Sequence, residues 1–281
     1  MSTGVKSRAP TLTHVIPSRD GHGVCGVTSF NDEVFVGRYG SQQIEVYDAV
    51  TFALRRHIAV PGLGNWPTGI TACARNKCIY LSDHDNETVH RIKLSRRIGR
   101  KAAKKWSVAG GPVGLSVNSA HNLVVVCCET KMLQEYTTRG SLVREISLQE
   151  GVTCPWHAVQ LSTGDYVVCQ LMSPGVLSVF GEDGQVVHSY VQSHKSGGGP
   201  SMLPSSLAVT RNERILVADQ CNSRILSMNT SLSSVQPLAL PLHVRMKVPC
   251  GLHLDESRGR LYVGELGEQH RVLVFDDVAI L

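Results

Sequence analysis

Pro204-Ser205-Ser206-Leu207-Ala208-Val209, followed by Ile215-Leu216-Val217-Ala218 and then Arg224-Ile225-Leu226-Ser227, is the stretch whose reading decides the fold. It opens on a tight turn and runs into a strand, a fully apolar second strand and a more alternating third. Working outward, the same opening returns as Val24-Cys25-Gly26-Val27, Pro67-Thr68-Gly69-Ile70, Pro112-Val113-Gly114-Leu115, Pro155-Trp156-His157-Ala158 and Pro249-Cys250-Gly251-Leu252, at spacings of 43 to 49 residues. Self-similarity at that period marks a propeller or solenoid, and the repeat governs the fold ahead of any local signal.

The second strands are Val34-Phe35-Val36, Cys78-Ile79-Tyr80-Leu81, Leu123-Val124-Val125-Val126, Tyr166-Val167-Val168-Cys169, Ile215-Leu216-Val217-Ala218 and Leu261-Tyr262-Val263. Runs apolar on both faces suit strands buried between neighbouring sheets. Third strands such as Ile44-Glu45-Val46-Tyr47 and Leu177-Ser178-Val179-Phe180 alternate, as strands with one covered face do. Weaker fourth strands, Leu142–Ile146 and Val186–Tyr190 among them, can be traced in the first five units. The expected fold is therefore all-β: a six-bladed β-propeller of four-stranded antiparallel blades.

The sixth unit has no fourth strand of its own. A spare strand signal at Thr11-Leu12-Thr13-His14-Val15-Ile16 is expected to complete the last blade and close the ring. Residues 1–10 are then a flexible tail and 11–281 one propeller, with blades starting near 24, 67, 112, 155, 204 and 249.

Composition is that of a folded soluble chain, with 42% hydrophobic and 18% charged residues. No run approaches the length of a membrane span, and Met1–Pro10 lacks the apolar core of a signal peptide. Nine cysteines without an export signal read as reduced thiols in a cytoplasmic protein. The net charge of +5 is local. Residues 91–105 carry Arg91, Lys93, Arg96, Arg97, Arg100, Lys101, Lys104 and Lys105 with no acid. Taking these eight from the 28 basic residues leaves 20 against 23 acidic ones. Such a run attracts phosphate-rich partners. It has no aromatic residue before Trp106, however, and it joins third and fourth strands, away from the expected ligand face.

In the fifth unit the opening leads to Ile215-Leu216-Val217-Ala218-Asp219-Gln220-Cys221-Asn222-Ser223-Arg224-Ile225, which resembles the NHL repeat. The second unit keeps much of the pattern in Leu81-Ser82-Asp83-His84-Asp85-Asn86, and the sixth has Glu265 in place of the aspartate. The resemblance implies a propeller that works as a binding platform, joined in larger relatives to RING, B-box and coiled-coil modules of ubiquitin ligases. No paired Cys-x-x-Cys set supplies ligase chemistry here. The expected function is a monomeric, non-catalytic scaffold that binds a protein partner, as in substrate recruitment for ubiquitin ligases, with RNA as the second partner class.

The ligand face is expected to carry Arg38, Tyr39, Trp66, His84, Lys131, Trp156, His157, Gln220 and Glu265, rich in the residue types that dominate interfaces. Asp83, Asn86, Asp219 and Asn222 follow second strands, where such side chains close turns.

The alternative is a metal-dependent propeller enzyme, resembling the zinc-dependent amidating lyases or calcium-dependent lactonases. Ligands on different blades would then occupy like positions in the repeat. His157 stands where other units have Gly26, Gly69, Gly114, Ser206 and Gly251, and His253 where they have Thr71, Ser116 or Ala208, so no metal site, cofactor or catalytic residue is expected.

Overall fold

The structure is a computed structural model that describes residues 10–94, 103–192, 201–241 and 243–278. The expected flexibility of the first residues, and Arg96, Arg97, Arg100 and Lys101 of the basic run, lie outside these. In chain order, β1 (Thr11–Ile16) comes first. Blade 1 is β2 (Val24–Phe30), β3 (Glu33–Arg38), β4 (Gln43–Asp48) and β5 (Leu54–Ala59). Blade 2 is β6 (Pro67–Cys73), β7 (Cys78–Asp83), β8 (Thr88–Lys93) and β9 (Ala103–Ser107). Blade 3 is β10 (Pro112–Val117), β11 (Leu123–Cys127), β12 (Met132–Tyr136) and β13 (Leu142–Ser147). Blade 4 is β14 (Pro155–Gln160), β15 (Tyr166–Gln170), β16 (Val176–Phe180) and β17 (Val186–Val191). Blade 5 is β18 (Pro204–Val209), β19 (Ile215–Asp219), β20 (Arg224–Met228) and β21 (Val235–Pro237). Blade 6 is β22 (Pro249–Asp255), β23 (Arg260–Glu265) and β24 (Val272–Asp276).

Six four-stranded antiparallel sheets result, and the last has the order β1-β24-β23-β22. The leading strand thus supplies the outer edge of the final blade, pairing Leu12 with Phe275 and Ile16 with Val272. Innermost strands touch in the cyclic order β2, β6, β10, β14, β18, β22 and back to β2, which closes the ring. One apolar cluster fills each junction between consecutive blades. That arrangement explains the two-faced second strands: each of β7, β11, β15 and β19 is buried along its whole length because another sheet covers either side. Outer strands such as β5 alternate between exposed and half-buried positions. No helix long and apolar enough to cross a membrane occurs among the described residues.

All six innermost strands carry a register shift just after their opening residue. A bulge bends its strand and re-aims the side chains that follow. Repeated six times, it brings Gly26, Gly69, Gly114, His157, Ser206 and Gly251 together on the central channel. The approach there is close: a Cβ on Gly114 would sit 2.3 Å from the carbonyl oxygen of Trp156. At Gly114 no side chain fits without moving backbone, which accounts for glycine at that position.

Candidate active site

Two rings of side chains form at the ends of the second strands, and the two-residue period of a strand separates them. The last residues of these strands, Arg38, Asp83, Cys127, Gln170, Asp219 and Glu265, are all buried. Five of the six are polar and fasten the chain that enters their blade. Asp83 accepts from the Gly64 N–H at 2.9 Å, Gln170 from Thr153 at 3.0 Å, Asp219 from Leu203 at 3.0 Å and Glu265 from Lys247 at 2.7 Å. Arg38 donates to the carbonyls of Pro17, His22 and His270 and pairs with Glu45 at 2.8 Å. Arg38 and Glu265, expected on the ligand face, are therefore buried fasteners with no charge to offer a ligand. Asn86 and Asn222 each donate to the aspartate three residues back, closing the turns.

The next residue along is the one that faces the mouth of the channel. Tyr39, Leu171, Gln220 and Leu266 join Trp66 and Trp156 around a hollow of about 330 Å³, floored by Cys25, Thr68 and Cys250. Four of the nine face residues named from sequence, Tyr39, Trp66, Trp156 and Gln220, come together there. Trp66 is 46% exposed, and its loop is held by N–H groups of Asn65 and Trp66 donating to Asp85. Trp156 is half-buried and packs into the apolar clusters on both sides of blade 4, so it also serves as a wedge between blades. Lys131 is exposed in the turn after β11.

His84 is half-buried against the Trp66 ring, with centroids 4.9 Å apart. Its Nε2 lies 3.8 Å from a carboxylate oxygen of Glu129 and 3.8 Å from Cys128 Sγ. Burial, with Cys154 and Glu129 nearby, pushes the Cys128 thiol up to about 11, so it stays protonated at neutral pH. The Trp66 wall of the apolar hollow thus stands against an imidazole that has a carboxylate beside it. Leu171 and Leu266 were not legible because charged and aromatic types were favoured, and Glu129 because its contact with His84 joins two blades. Repeat position alone, one place beyond each second strand, would have found both leucines.

His157 faces the channel but has no free nitrogen. Its Nδ1 accepts from the Leu207 N–H at 3.0 Å, and Nε2 then donates to the Leu115 carbonyl at 3.1 Å. It is a strut across blades 3, 4 and 5, held neutral because burial pushes its pKa down. His90, beside Asp83 at 3.2 Å, is likewise pushed down by burial. His253 is pushed down to about 4 for the same reason, despite Asp255 nearby.

These depressed values give stability a definite pH dependence. The folded state binds fewer protons than the unfolded one between pH 6.5 and 4, so stability is present above about pH 6.5 and is lost as pH falls through that window. His253 alone accounts for about 2 kcal/mol by pH 5. The urea midpoint is expected to drop between pH 7.5 and pH 5, and His253→Gln to show a smaller drop. Equal drops in the two proteins would remove His253 from the explanation.

No family model matches the chain, and no curated protein matches it in sequence. Solved structures do. A catalytically inactive virginiamycin B lyase from Staphylococcus aureus, with quinupristin, superposes with a TM-score of 0.68 at 11% identity, covering 94% of this chain and 98% of that one. A streptogramin B lyase gives 0.65 at 12%, covering 94% and 96%. Hydrazine synthase of Kuenenia stuttgartiensis gives 0.66 at 19%, covering 94% and 79%. At such identities the shared property is the six-bladed fold. These neighbours nevertheless correct the expectation of a non-catalytic scaffold and of no enzyme. Over nearly its whole length the fold is one that enzymes also use, and the neighbours named are not ubiquitin-ligase or NHL proteins.

Proposed function

We propose that this chain is a propeller enzyme of the lyase kind, which takes a small, partly apolar carbonyl compound into the mouth of its channel. His84, packed on the Trp66 wall of the hollow with Glu129 beside it, is the observation that carries the reading. Support comes from a volume in the range of small-molecule sites, the aromatic and leucine wall, and the lyases that share the fold.

In the proposed step His84 Nε2 removes a proton from the carbon next to the substrate carbonyl. The C–H electrons become a C=C bond, and the group on the adjacent carbon leaves with its bonding pair. Glu129 steadies the imidazolium that forms. Tyr39, Trp66 and Trp156 hold the substrate's apolar part and exclude water from it. Zinc, as the amidating-lyase alternative would use, finds no fitting donors: among the described residues no three His, Cys, Asp or Glu side chains are placed to hold a metal ion.

The test is turnover of quinupristin and a panel of cyclic esters and lactones, followed by mass spectrometry. Elimination within a ring gives a product of unchanged mass, whereas hydrolysis adds a water. At least one compound is expected to give the isomeric product. His84→Asn should slow it by about 10²–10⁴-fold, the contribution of a positioned base. A His84→Asn protein as fast as the parent, or no turnover across the panel, would defeat the proposal.

A further inference from the structure

The channel itself, from the glycine neck to its lower end, encloses a cavity of about 200 Å³ that His84 does not line and that shares Cys25, Thr68, Trp156 and Cys250 with the hollow at the mouth. Its wall is best seen from the repeat. Two residues past each neck position stand, in blade order, Thr28, Thr71, Ser116, Val159, Ala208 and His253, and all six line the cavity. Because β22 of blade 6 lies against β2 of blade 1, His253, Thr28, Thr71 and Ser116 are consecutive around the ring. The remaining arc is Val159 and Ala208, with Val209 and Leu254 beside them. The ring is polar on one side and apolar on the other, and no Asp or Glu among the described residues lines it.

Ser116 is 92% buried, being 8% exposed, and its Oγ has no hydrogen-bond partner. A buried hydroxyl left unpaired costs stability unless something else bonds it. His253 Nε2 is 2.8 Å from Ser29 Oγ, and Ser29 in turn donates to Asp255 at 3.2 Å. That chain leaves Nδ1 of His253 without a partner among the described residues. Asp255 is held by Arg258 and Ser257 as well, so its charge is already met. Among the described residues the Tyr262 ring of β23 also packs on His253 at 5.9 Å, and the sequence of β2 contains no charged residue.

We infer that this lower cavity is a binding site for a short-chain monocarboxylate, its oxygens among Ser116, Thr71, Thr28 and His253 and its alkyl end against Val159 and Ala208. Three hydroxyls and, once it is protonated at Nδ1, the His253 ring can donate to two carboxylate oxygens, and no carboxylate among the described wall residues repels them. One proton is shared between the ligand and His253, so binding takes up a proton and strengthens as pH falls. The site does not depend on the chemistry proposed for the mouth.

The test is calorimetric titration of the full chain with formate, acetate, propionate and butyrate at pH 7.5 and pH 5, with chloride as the control. Saturable binding at one ligand per chain is expected, tighter for propionate or butyrate than for formate, and about tenfold tighter at pH 5. Ser116→Ala should weaken it several-fold and His253→Gln should flatten its pH dependence. Protection of the wild-type melting temperature by propionate over equal chloride gives a second reading that needs no variant. Absence of saturation at both pH values would overturn the inference. So would equal binding of chloride and propionate, or full binding by Ser116→Ala.

Discussion

A chain lacking residues 1 to 18 is expected to melt at least about 10 °C below the full protein. The reason lies in β1, which is the outer strand of the last blade although it comes first in sequence. Ile16 is 1% exposed, and Leu12 and Val15 pack partly buried on the blade 5–6 cluster. Full burial of one such side chain contributes roughly 1.5–3 kcal/mol, and in a domain of this size each kcal/mol is worth about 2–4 °C. The truncation also removes the Pro17 carbonyl that Arg38 bonds and bares the edge of β24, inviting association. Differential scanning calorimetry and light scattering would report both effects. An unchanged melting temperature would show that the ring does not need its first strand.

Arg38→Met is expected to cost about 3–5 kcal/mol. Arg38 and Glu45 are 2% and 5% exposed, so the substitution leaves a carboxylate buried with, among the described residues, only the Tyr47 hydroxyl for support. Three carbonyls on either side of the seam, those of Pro17, His22 and His270, lose their donor as well. The double variant Arg38→Met/Glu45→Leu should regain much of the loss, because a well-packed apolar pair can replace a buried ion pair. Urea unfolding measures both. A single variant within about 1 kcal/mol of the parent would mean that the Arg38–Glu45 pair holds nothing together.

Blade number, strand order and the borrowed edge were legible because they follow from a repeat and from apolar patterning. The site was legible only in part, for a reason of geometry. Arg38 and Tyr39, or Glu265 and Leu266, are neighbours in sequence but point to opposite sides, one into the blade and the next toward the mouth. Choosing charged and aromatic types picked both Arg38 and Glu265 from the buried ring and missed Leu171 and Leu266 on the exposed one. His157 misled in a similar way: as one histidine among glycines it stood out, and its nitrogens are spent bracing three strands. The pairing of His84 with Glu129 joins two blades, so spacing along the chain could not show it. The lower ring was visible as a column of the repeat, but its division into polar and apolar arcs acquires meaning only once β22 is known to adjoin β2.

The central claim is that His84 takes a proton from carbon in a substrate held at the mouth. Deuterium exchange tests it most directly: a bound carbonyl compound in D2O, followed by proton NMR at the carbon next to the carbonyl. The account predicts exchange catalysed by the parent protein, lost in His84→Asn and weakened in Trp66→Ala. Exchange at the same rate in His84→Asn would contradict it.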